Sequence, residues 1–71
     1  MTPETARRLK KLDLSGRKFA RMVGMHSSTV QEWGTKREEP AWVDTRISEW
    51  ERSPKALQEA LKAARQVIGA T

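Results

Sequence analysis

Cysteine is absent from the 71 residues, which excludes disulfides and thiolate metal sites and leaves nothing that points to an oxidising compartment. Apolar runs are only a few residues long, too short for a membrane span or the core of a signal peptide. A soluble, cytoplasmic protein without a membrane partner is the expectation. Histidine occurs once, as His26, with no second ligand cluster beside it, so neither a metal nor another cofactor is expected. The sequence also lacks a nucleophile-and-base pair, a phosphate-cradling glycine loop and a close acid pair with a reason to be buried, and an enzyme is not expected. Alternating apolar runs, internal repeats and low-complexity linkers are missing too. One domain near the lower size limit for unstapled folding remains.

Charge is what the sequence does have. The net charge is +5, and it is unevenly spread. Residues 1–37 hold nine basic groups (Arg7, Arg8, Lys10, Lys11, Arg17, Lys18, Arg21, Lys36 and Arg37) against Glu4, Asp13 and Glu32, a net of +6. Residues 38–71 hold five basic and six acidic groups, a net of −1. One half of a small domain carries the whole excess, as expected where that half faces a polyanion.

Helical signals run from end to end. Thr2-Pro3-Glu4 combines a capping hydroxyl, a first-turn proline and an acid; Ala6, Leu9 and Leu12 would form the buried stripe of this first helix, with Arg7, Arg8, Lys10 and Lys11 outside. Ser15 caps a second helix, with Leu14 and Phe19 placed as a hydrophobic staple, and Gly24 ends it. A third helix begins near Ser27 and carries Val30 and Trp33; Gly34, Lys36 and Arg37 close it, and Glu38-Glu39-Pro40 forms the next connection. Val43, Ile47 and Trp50 mark a fourth helix, with Trp42 beside them and half exposed. Ser53-Pro54 starts the last, with Leu57, Leu61, Ala64 and Ile68 on one stripe and an end near Gly69. The expectation is an all-α, compact five-helix bundle.

Helices two and three are the informative unit. Two short helices crossing steeply need a small residue at the crossing, here Ala20, and a residue in the turn that tolerates positive φ, here Gly24. Phe19, Val23, Met25, Val30 and Trp33 supply the apolar anchors. From Gly16 to Thr35 the sequence resembles the helix-turn-helix of the phage repressor and Cro-like (XRE-type) family: Phe19-Ala20, Val23-Gly24-Met25 and Ser28-Thr29-Val30 fall at the family's places, and Trp33 takes its last anchoring position. The resemblance implies a lambda-repressor-like fold whose second motif helix enters the major groove of double-stranded DNA. It assigns base reading to Ser27, Ser28, Thr29, Gln31 and Glu32, residue types able to pair with base edges. Phosphate contacts would come from Arg17 and Lys18 beside the free N–H groups at the start of helix two, from Arg21, and from Lys36 and Arg37.

Two positions depart from the family pattern. His26 stands where a capping hydroxyl is common and the hydroxyl follows at Ser27, so either the cap is shifted by one or His26 faces phosphate. Gly34 replaces an acid after the tryptophan. The implied function is a transcriptional regulator, a repressor of phage or mobile-element type in a bacterial cell or phage-infected host. It would act as a homodimer on a near-palindromic operator, without a small-molecule ligand. Dimer contacts are expected from the helix over residues 54–69 or from Trp42. The alternatives are a protein-interaction adaptor or antitoxin using the C-terminal helix, and a phage packaging or recombination accessory protein.

Overall fold

A computed structural model describes the backbone of residues 1–69 and the side chains of residues 1–64. The helices are α1 (Pro3–Lys11), α2 (Gly16–Met22), α3 (Ser27–Gln31), α4 (Ala41–Arg52) and α5 (Pro54–Gly69). No strand occurs among the described residues, and none of their helices is long and apolar enough to cross a membrane.

The caps explain the boundaries. The Thr2 hydroxyl accepts from Thr5 N–H, that of Ser15 from Lys18 N–H and that of Ser53 from Ala56 N–H, each satisfying an otherwise unpaired first-turn donor. Two helices end in the same left-handed device. After α2, Gly24 takes φ +73° while Met25 N–H reaches back to Ala20 C=O and Gly24 N–H to Arg21 C=O. After α1 the same pair of bonds runs from Leu14 to Leu9 and from Asp13 to Lys10, with Asp13 at φ 61°. Both are Schellman endings, and the accompanying apolar contact in α1 joins Leu9 to Leu14, both buried. Asp13 therefore does the work usually given to glycine.

The core consists of Leu9, Leu14, Phe19, Ala20, Val30, Trp33, Val43, Ile47 and Trp50. Phe19 is at its centre. Trp33 and Trp50 meet its ring edge-on at 6.2 and 5.8 Å, and Trp42 stacks on it at 6.4 Å. Buried Trp33 and Trp50 with Phe19 give a short chain a large buried aromatic area, and Trp42 covers Phe19 while staying partly exposed. Leu57 and Leu61 of α5 lie half-buried against this core. Ala64 is half-buried on the same helix, whereas the Ile68 side chain lies outside the described residues.

Three expectations change. Ala6 is exposed, and Thr5 takes its place on the buried side of α1. Burial of a threonine is tolerated because its hydroxyl donates to Glu39 Oε2 at 2.8 Å. Val23 and Met25 are only half-buried at the edge of the core. Trp33 lies beyond α3, which stops at Gln31; it is buried from the following turn instead.

Candidate nucleic-acid interface

α2 and α3 are joined through the four residues Val23, Gly24, Met25 and His26 and pack against each other. Val30 anchors α3 from below and is fully buried, as are Phe19 and Ala20 on α2. His26 is the N-cap residue of α3, with extended backbone and no side-chain capping bond. Ser27 is thus the first helical residue rather than the cap. With Val30 inward, Ser28 and Gln31 are exposed, while Ser27, Thr29 and Glu32 are half-buried at the margins.

The cations that precede and follow α3 in the chain differ in their engagement. Arg17, Lys18, Arg21 and Lys36 are exposed and form no ion pair among the described residues. Arg37 differs: its Nε donates to Glu32 Oε2 at 2.8 Å, across the turn that follows α3. A residue expected to read a base and one expected to hold a phosphate are therefore engaged with each other. At the start of α2 the Ser15 hydroxyl already occupies Lys18 N–H, which reduces the free backbone donors expected there. Lys10, from the end of α1, lines the same surface hollow as Lys18, Ser15, Leu14 and Asp13. From the sequence Lys10 is one of the outward groups of α1; the packing of α1 beside α2 brings it next to Lys18.

The turn carrying Lys36 is held firmly. Gly34 N–H donates to Arg37 C=O at 2.7 Å and Arg37 N–H to Glu32 C=O at 3.0 Å, and the Thr35 hydroxyl donates to Glu32 C=O at 2.9 Å. Glu39, at its far end, accepts from the hydroxyls of Thr2 and Thr5 at 3.1 and 2.8 Å. Gly34 itself sits at φ +83° against Thr2. The exit from α3 is consequently tied to the N-terminal end of α1.

Arg8 corrects a further expectation. It is not an outward cation of α1 but the link to α4: Nη1 donates to Asp44 at 2.6 Å, Nη2 to Glu51 at 2.8 Å and to Ser48 at 3.0 Å, and Nε to Glu51 at 3.2 Å. These bonds raise the Arg8 pKa further above its usual value, the pair with Glu51 most strongly, and hold the Glu51 carboxyl below the ordinary glutamate range. The spacing of Asp44, Ser48 and Glu51 at i, i+4 and i+7 was the sequence signal for one shared cationic partner. Among the described residues there is no group of three or more His, Cys, Asp or Glu able to hold a metal ion. Comparison with protein-family models, curated proteins and solved structures finds no match for this chain.

Proposed function

We propose that the chain binds double-stranded DNA, with α3 in the major groove and Ser28 and Gln31 as its leading base contacts. The observation that carries this reading is the α2–turn–α3 unit, whose inner face is buried while the Ser28 and Gln31 side chains are exposed, with Arg17, Lys18, Arg21 and Lys36 before and after α3 in the chain exposed and free of ion pairs among the described residues. Glutamine can pair with adenine through both amide atoms, and a serine hydroxyl can donate or accept at either strand. Arg17, Lys18, Arg21 and Lys36, with Lys10 added beside Lys18, would track the phosphates flanking the groove. Glu32 and Arg37 enter as a pair, so each must leave the other before it contacts DNA.

A five-residue reading helix offers few base contacts, and a single copy would bind weakly. Two copies on half-sites one helical turn apart, about 34–36 Å, would double those contacts. The resemblance to Cro-like repressors favours a homodimeric regulator, a repressor of phage or mobile-element type, over an adaptor built on α5. Fluorescence anisotropy on a labelled duplex from upstream of its own gene, against a scrambled duplex at low and moderate salt, tests this. Binding that prefers the native duplex and survives moderate salt is expected. Equal, salt-sensitive binding to both duplexes would reduce the reading to nonspecific association, and no binding at either salt would remove it.

A further inference from the structure

α4 has two flanks beside its buried stripe of Val43, Ile47 and Trp50. One flank, Asp44, Ser48 and Glu51, is occupied by Arg8. The other carries Trp42, Arg46 and Glu49, which fall within an arc of roughly 60° at 3.6 residues per turn. All three are exposed, and Trp42, 40 % exposed, stands alone among the described residues as a large hydrophobic side chain at the surface. Met22 and Val23, from the end of α2, join Trp42 and Arg46 in lining a groove along this flank. Arg46 and Glu49 form no ion pair among the described residues.

We infer that this flank of α4 is where two copies of the chain pair, antiparallel about a two-fold axis near residues 47–48. The inference rests on the dimeric reading above and gives it a location. Charge carries it: under that symmetry Arg46 of each copy meets Glu49 of the other, so the strip is complementary to itself, as an isologous contact requires. The exposed indole and the half-buried Met22 and Val23 supply the apolar part, with methionine able to adapt to the opposing surface. The α5 alternative is weaker among the described residues, since Leu57 and Leu61 are already turned against the core. A contact between two 12-residue helices is small beside the roughly 1,200–2,000 Å² of a stable interface. Self-association is accordingly weak in free solution and is reinforced when both copies share one duplex.

Sedimentation equilibrium of the full chain without DNA, from micromolar to millimolar, tests the inference. The parent is expected to show a concentration-dependent monomer–dimer equilibrium. Arg46→Glu and Glu49→Arg each place like charges opposite one another and should weaken it at least about tenfold. An equimolar mixture of these two variants restores both cross-pairs and should associate as the parent does, as should the double swap. Arg46→Gln and Glu49→Gln provide a milder pair of changes with the same direction. A parent that stays monomeric throughout, reversals that leave association unchanged, or a mixture that fails to associate would each overturn the α4 contact. DNA is absent from the cell, so these outcomes are independent of whether the anisotropy measurement succeeds.

Discussion

Gly24 and Gly34 share a left-handed backbone but differ in their surroundings. A Cβ on Gly24 would meet nothing within 4 Å, whereas one on Gly34 would lie 2.9 Å from Thr2 Cγ2 and 3.5 Å from its backbone. Thr2 cannot turn aside freely, because its hydroxyl is bonded to Glu39 and Thr5. Gly24→Ala should therefore show conformational strain alone, about 1–2 kcal/mol. Gly34→Ala should lose more, the order being read from urea midpoints at equal slope. Glu51 gives a second prediction at this scale. Its folded-state pKa is depressed by Arg8, so the stabilisation is complete above the unfolded glutamate pKa and disappears as pH falls through the folded value. The parent should melt above Glu51→Gln at neutral pH, and the gap should close on acidification, as followed by circular dichroism. A gap that persists in acid would assign the effect to packing instead.

α3 is the element whose length matters most. It spans five residues, and the chain leaves it at once through a turn closed by Gly34 and bridged by Glu32 and Arg37. That bridge modifies what phosphate contacts should do. Arg17→Ala, which removes an unpaired cation, is expected to flatten the dependence of log affinity on log salt by about one unit. Arg37→Ala should flatten it less, because Arg37 must first give up Glu32. Glu32→Ala should strengthen binding to the scrambled duplex by releasing Arg37, and lower the preference for the native duplex if Glu32 reads a base there. Anisotropy titrations over a salt series check all three, and equal effects of Arg17→Ala and Arg37→Ala would show that the bridge opens freely on DNA. Of the helix endings, the Gly24 turn was legible because glycine announces positive φ. The Asp13 turn was not, since aspartate is compatible with many conformations and only the bonds from Leu14 and Asp13 select this one.

For the molecule as a whole, stability is concentrated at Phe19, where the three tryptophan rings meet. Phe19→Ala should remove about 3–5 kcal/mol, a large share of the roughly 5–15 kcal/mol typical of small domains. Tryptophan fluorescence during urea unfolding should show the midpoint collapse, while Leu61→Ala, half-buried on α5, should move it less. The all-α class, the helix starts at Thr2, Ser15 and Ser53, and the left-handed turn at Gly24 could be read directly, because caps, prolines and apolar spacing act over a few residues. Thr5 could not be placed inside, nor Arg8 taken off the free surface, since Glu39, Asp44 and Glu51 lie more than thirty residues away along the chain. The same holds for the candidate site. Local sequence determined which residue types α3 could present; tertiary packing decided which cations remain unpaired around it, because a salt bridge depends on distances that only the folded chain sets.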